Sequence, residues 1–286
     1  MWRAELAKML LEEKISREKE RLTTDYWWNI YRELGEEFRR IAGAYKLLDD
    51  QIVCHVVPEK YAGRVPTSSS AAKAFLEMLS AERASKTGRG LLLRCNLREH
   101  YGDASASEAK GFEGRVVEAG GKAMDKGGEK AVFFATLNAL YSFAGLVDKT
   151  VHCRAEQMDA CGHDLVNYIE DKYGRDVRVA HIGYKPEHVK PLVKAFKTYV
   201  TDLNPPLAKD RPRSVRVLDE SKNPEVIKRA DVVCIPGCSA VNGTLPGLLR
   251  WCEEHNTPAL LYGITVAACS KILNLPYFCP YARRSP

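Results

Sequence analysis

From residue 176 onward the chain alternates short apolar, β-branched runs with helical segments, and no other feature restricts its fold as much. Residues 177–182 (VRVAHI), 214–218, 231–235 (DVVCI) and 259–262 (ALLY) read as strands. Residues 187–199, 224–229, 245–255 and 265–273 read as helices between them, and a strand-like tail lies near 277–279. Strands and helices in this order predict a parallel sheet joined by right-handed crossovers. With 45% hydrophobic residues the chain has enough apolar material for a packed core, which excludes a disordered or collagen-like chain.

The first half follows a different grammar. Residues 3–22 read as a charged helix, and residues 25–45 as a second helix with Trp27, Trp28, Leu34, Phe38 and Ile41 on one face and Asp25 as its N-cap. A strand at 51–57 ends at Pro58. A loop at 66–70, a helix at 70–85 and a strand at 90–97 follow. Residues 102–129 are rich in Gly, Ala, Ser and Glu and read as a mobile or ligand-facing loop, with room for a short strand at 115–118. Residues 131–147 read as a buried helix, because 17 uncharged residues fall short of the roughly 20 that a membrane span needs. A length of 286 residues suits two domains. We place an N-terminal α+β domain at 1–150 and a Rossmann-like α/β domain at 151–286, an α/β fold class overall.

Charge and cysteine usage narrow the function. The 43 basic and 37 acidic residues leave a net charge of +6, and no basic stripe with interleaved aromatics marks a nucleic-acid binder. The first twenty residues lack the apolar core of a secretory signal. Nine cysteines, an odd number spread over a long chain, fit free thiols in a reducing cytoplasm. The partners this leaves are a small-molecule or metal-chelate ligand and further copies of the chain, not nucleic acid or membrane.

The familiar catalytic signatures are missing, and whether the chain is an enzyme stays open. There is no G-x-x-x-x-G-K-[ST] and no H-E-x-x-H. Gly237-Cys-Ser239-Ala-Val241 has Val where a nucleophile elbow needs its last Gly. The first α/β strand ends at Gly183 without the further glycines of a dinucleotide fingerprint. Asp219 ends the next predicted strand and either holds a ribose hydroxyl or caps a turn. It lies 36 positions after Gly183, against about 20 in the fingerprint.

The segment 236–244 is the sharpest signal. A strand runs into small and polar residues directly before a helix, with Cys238, Ser239, Asn242, Gly243 and Thr244 at the turn. In open α/β sheets, ligands bind outside the carboxyl ends of the strands, and a helix start attracts anions and polar groups. We expect Ser239, Asn242 and Thr244 to face a cleft near the ends of the strands finishing at Ile182 and Ile235. The plainer alternative is turn residues with Thr244 as an N-cap. Asn138 stands on an apolar helix and must be paired if buried. It bonds the small-residue loop, reaches the cleft, or satisfies a core carbonyl.

His152, Cys153, Asp159, Cys161 and His163 bring several metal-ligand types into twelve residues. Thiolate and imidazole suit zinc, iron or copper, so the cofactor this segment would take is a divalent metal ion, with Cys161 and His163 as its first candidates and Cys238 as a third ligand from across the cleft. On one continuous helix Cys153 and Cys161 could not share an ion, so a shared site requires a break, which Gly162 would permit. The alternative is core thiols and a capping imidazole.

The order of these pieces resembles the heavy-metal-chelation family, a domain of unknown function. The pieces are Phe134-Ala-Thr-Leu-Asn138 on a buried helix, Val179-Ala-His-Ile-Gly183-Tyr-Lys-Pro186, Val217-Leu-Asp219, and the run from Ala230 to Leu245 containing Cys238-Ser239-Ala-Val-Asn242-Gly243-Thr244. The resemblance implies an enolase-N-terminal-like domain followed by a Rossmann-like one, a site in the cleft between them, a cytoplasmic location, and binding of a metal or metal chelate or of a small polar or anionic ligand. A nucleotide-like binding module without chemistry of its own is the alternative. The helical N-terminus and the Cys/His segment depart from the family's pattern.

Overall fold

The computed structural model describes residues 29–62, 90–106, 110–205 and 215–284. The helices expected at 3–22 and 70–85, the loop at 66–70, and Asp25, Trp27 and Trp28 lie outside the described residues. The fold is mixed α/β, with a four-stranded antiparallel sheet and a six-stranded parallel sheet.

The antiparallel sheet has the order β3-β2-β1-β4, formed by β1 (Gln51–Pro58), β2 (Leu91–Leu97), β3 (His100–Ala106) and β4 (Phe112–Arg115). Helix α1 (Ile30–Ala44) buries Ile30, Leu34, Phe38 and Ile41, the spacing of a helix with one apolar stripe. A four-residue helix, α2 (Glu59–Ala62), follows β1, and α3 (Val116–Gly121) follows β4. Helix α4 (Gly128–Phe143) is buried on every side from Lys130 to Tyr141, because it lies between the antiparallel sheet and the second half of the molecule.

The short strand expected at 115–118 lies earlier, at Phe112–Arg115, and Val116–Gly121 is helical. The described residues of 102–129 are not one loop; they hold the end of β3, then β4 and α3. Their small side chains answer to packing, since a Cβ on Gly102 would lie 2.2 Å from the Ala135 carbonyl oxygen and 2.3 Å from the Ala139 nitrogen. The backbone of α4 rests directly on β3.

After β5 (Lys149–Val151) and a 3₁₀ turn at Ala155–Gln157, helix α5 (Met158–Tyr173) leads into the parallel sheet. That sheet comprises β6 (Arg178–Ile182), β7 (Lys197–Asp202), β8 (Val217–Asp219), β9 (Val232–Pro236), β10 (Ala259–Tyr262) and β11 (Tyr277–Phe278). Its order, β8-β7-β6-β9-β10-β11, is the 3-2-1-4-5-6 order of a doubly wound, Rossmann-like sheet. The crossing helices are α6 (Pro186–Ala195), α7 (Asn223–Arg229), α8 (Cys238–Asn242), α9 (Leu245–Glu254) and α10 (Ala267–Leu273). β9 and β10 are apolar throughout because α5 and α6 cover one face of the sheet and α7, α9 and α10 the other. The helix expected at 187–199 ends at Ala195, and β7 follows.

One hydrophobic cluster joins α1, the antiparallel sheet and α4 to the α7–α9–α10 face of the parallel sheet. A final strand, β12 (Arg283–Arg284), pairs antiparallel with β5. Cys54 and Cys95 face each other across β1 and β2 and form a disulfide, so seven of the nine cysteines are free, where the sequence had pointed to nine free thiols. Among the described residues no helix is long and apolar enough to cross a membrane.

Candidate functional site

A recess of about 90 Å³ lies at the carboxyl ends of β6, β7 and β9, where the strand order reverses. Ile182 and Gly183 leave β6, Thr201 and Asp202 end β7, and Pro236 ends β9. Cys238, Ser239, Asn242 and Thr244 close one side, and Glu220 and Asn223 the other. Gly183 has φ +78°, a conformation open to Gly at little cost.

Ser239, Asn242, Thr201 and Asp202 are held from behind. Ser239 is buried and its hydroxyl donates to the Pro236 carbonyl at 2.6 Å. The Asn242 side-chain oxygen accepts from the Thr244 hydroxyl at 2.9 Å and from its backbone N–H at 3.3 Å, and Gly243 turns left-handed at φ +87° to end α8. Thr201 donates to Asn223 Oδ1 at 2.6 Å. Asp202 accepts backbone N–H groups from Tyr184 and Asn204, each at 2.7 Å.

The recess therefore gathers Gly183, Cys238, Ser239, Asn242 and Thr244 from the expected set. Asp219 stands elsewhere: it is exposed and accepts the Ser221 N–H at 3.0 Å, a bond that holds its carboxyl below the usual range. It caps a turn. The strand missed by sequence reasoning, β7, moves the strand-end acid to Asp202, 19 positions after Gly183. That matches the spacing of about 20 between a first-strand glycine turn and the ribose-binding acid. The spacing was readable; the strand that gives it meaning was not.

Asn138 is fully buried and does not line the recess. Its amide donates to the carbonyls of Asp103 at 2.9 Å, Ile264 at 3.0 Å and Thr265 at 3.3 Å, and its oxygen accepts the Ala268 N–H at 2.9 Å. It fastens β3 to the start of α10.

The Cys/His segment does not gather around one point. Helix α5 runs unbroken through Gly162, whose missing Cβ admits the Glu187 carbonyl of α6; a Cβ there would lie 1.7 Å from that oxygen. His163 is exposed and bonds the Asp159 carbonyl. Cys161 instead meets His188 Nε2 at 3.6 Å. His188 Nδ1 lies 3.3 Å from His181 Nε2, and His181 Nδ1 lies 2.7 Å from the Gly183 carbonyl. A carbonyl only accepts, so the protons run one way: His181 donates to Gly183, His188 to His181, and the Cys161 thiol to His188. Burial holds both imidazoles neutral, with His181 lowered to about 4 and His188 to about 2, and raises the Cys161 thiol to about 12. Among the described residues no three His, Cys, Asp or Glu side chains are placed to hold a metal ion, so the donor set, Cys161 and His163 included, does not fit a resident metal.

Residues 167–275 match a family model described as "Putative heavy-metal chelation", DUF364. Two solved structures of proteins with unknown function from that family, one from Pyrococcus horikoshii and one from Desulfitobacterium hafniense, have the same fold. Each is 14% identical to this chain, and each match covers 85% of this chain and 82% of the other, with a TM-score of 0.50. No curated protein matches. The family model thus matches most of the parallel-sheet half, and the two solved structures share the fold over 85% of the chain.

Proposed function

We propose that the chain binds a small ligand of the nucleoside class, presenting hydroxyl or amine donors, in the recess at the strand-order reversal. The observation that carries this reading is Asp202, an acid at the end of the second strand, 19 positions after the glycine that ends the first. Around it stand a second carboxylate, Glu220, and the polar side chains of Ser239, Asn242 and Thr244, with no Lys or Arg among the described residues that line the recess. Such a lining accepts hydrogen bonds and suits a donor-rich ligand better than an anion. In this reading the recess belongs to a domain at 151–286, and the domain at 1–150 brings Glu59 toward it across a cleft.

The family's description supports a second, related reading, a metal chelate. Because no three donors converge among the described residues, the metal would arrive held by the chelator's own atoms, and the two carboxylates would meet its hydroxyl or amine groups. Thermal denaturation of the full chain with adenosine, S-adenosylmethionine and nickel–histidine as probes tests both readings, since a ligand that binds only the folded state raises Tm. Stabilisation by adenosine or S-adenosylmethionine that Asp202→Ala abolishes is the expected result. Stabilisation by nickel–histidine alone would favour the chelate, and no shift with any of the three would overturn both.

A further inference from the structure

Beside the recess stands a thiol–imidazole–carboxylate array that the ligand reading leaves unused. His152 Nε2 lies 3.2 Å from Glu59 Oε1. On the other side of the ring, Nδ1 lies 2.9 Å from the Cys153 carbonyl oxygen and 3.8 Å from Cys153 Sγ. Both neighbours of the imidazole are acceptors when it is charged, so a proton on each nitrogen satisfies the whole array.

The array is built in from behind. The His152 N–H donates to Asp103 Oδ2 at 2.8 Å, and the His152 carbonyl accepts Arg283 Nε at 3.0 Å. The Ala62 carbonyl, at the end of the helix that carries Glu59, accepts from both Arg94 and Arg283. His152 is buried, whereas Cys153 is partly exposed.

We propose that Cys153 is a nucleophilic thiolate, paired with the His152 imidazolium and oriented through Glu59, that attacks an electrophilic carbon of a ligand brought into the cleft. In the step the sulfur electron pair forms an S–C bond while the bond from that carbon to its leaving group breaks. The leaving group departs with its electrons and takes the His152 proton if it is basic enough. No redox partner is required.

Charge and burial around the sulfur agree with this geometry. Burial opposes the charge on His152, yet its bonds to Cys153 and Glu59 raise it to about 10. Burial likewise opposes a thiolate at Cys153, and His152 outweighs it, so that the thiol is lowered. Lys185, in the turn after β6, adds a favourable charge and Glu59 an unfavourable one. The other groups facing Cys153 are Arg283, Cys161 and Cys279. The last two are pushed up by burial to about 12 and about 11. Lys185 and Glu59 also act on Cys238, which places the array beside the recess. The inference itself stands on the array, not on which ligand the recess holds.

Iodoacetamide supplies the test, because iodide leaves with its electron pair and needs no proton. The full chain is alkylated from pH 5 to 9 beside free N-acetylcysteine as the unassisted reference, and adducts on individual cysteines are followed by mass spectrometry. Cys153 is expected to react about tenfold or more faster than N-acetylcysteine at pH 6, with a midpoint below the ordinary thiol value of about 8.5. His152→Gln should remove the advantage. Glu59→Gln, at a side chain one-third exposed, should weaken it in a protein whose circular dichroism is unchanged, which keeps the test valid if the His152 variant misfolds. Reaction of Cys153 at the rate and midpoint of an unassisted thiol, or a fast reaction indifferent to both substitutions, would overturn the proposal.

Discussion

Arg94 and Asp103 face each other across β2 and β3 and meet in two parallel hydrogen bonds of 2.7 Å, Nε to Oδ1 and Nη2 to Oδ2. Asp103 is fully buried and Arg94 nearly so. The pair also reaches outward: Asp103 accepts the His152 N–H, and Arg94 donates to the Ala62 carbonyl. One ion pair therefore holds the backbone on both sides of the Cys153 array.

Removing one partner should be costly. Asp103→Asn leaves the Arg94 guanidinium buried without its counter-charge, a change that typically costs about 3–5 kcal/mol. Urea denaturation measures it. The same variant should slow Cys153 alkylation, because His152 loses its anchor. A loss below about 1 kcal/mol, the level of a surface pair, would mean that the pair is hydrated.

Asn138→Ala should destabilise by about 1–3 kcal/mol or more, since three carbonyls and one N–H lose a buried partner. Asn138→Asp should do no better, because a carboxylate cannot donate to the carbonyls of Asp103 and Ile264. Thermal denaturation would show a near-neutral effect for either variant if water replaced the amide.

Two helical glycines should respond to Ala with opposite signs. In α9 a Cβ on Gly247 meets nothing within 4 Å, and Gly247→Ala should gain up to about 1 kcal/mol. In α5 a Cβ on Gly162 would collide with the Glu187 carbonyl, and Gly162→Ala should lose about 1–3 kcal/mol through overpacking and separation of α5 from α6. Equal effects at the two sites would contradict the close approach of these helices.

Acid should weaken the fold before most carboxylates protonate. His181 and His188 are neutral when folded and bind protons freely when unfolded, so the stability they provide is complete above about pH 6.5. It falls as pH drops from there toward 4, where His181 titrates in the folded state, and His188 continues the loss toward about 2. His181 alone accounts for roughly 3 kcal/mol across its window. Urea midpoints measured from pH 7 to 4 should decline, and more shallowly in His188→Gln. A flat profile for the wild type would rule out buried neutral imidazoles.

The parallel sheet was legible in the sequence because its central strands are buried on both faces. Runs such as Val232–Ile235 are apolar throughout and bounded by turns, so they could be recognised without knowledge of their neighbours. β7 was not legible: Phe196 and Tyr199 extend the apolar period of α6, and no Gly or Pro separates the helix from the strand. β3 was hidden differently. Gly102 and Ala104 are small because a helix lies on them, and in isolation small residues read as a loop. Ser239, Asn242 and Thr244 were found through the strand–turn–helix order, whereas Asp202 depended on seeing β7. His152 and Cys153 stood out as neighbours in sequence, but nothing local announces that Glu59, far upstream, completes them.

The last strand has a kinetic consequence. β12 follows the parallel sheet in sequence yet pairs with β5, and Arg283 clasps the carbonyls of both Ala62 and His152. The two halves are thus stitched at the chain's end as well as through their shared core, and swinging them apart like a clamshell would break the stitch. A ligand of the recess, on the reading proposed above, would then enter without the halves separating, past side chains that move on the nanosecond scale. Binding should then appear in stopped flow as one phase whose rate rises linearly with ligand concentration, without the plateau that a slow opening step imposes.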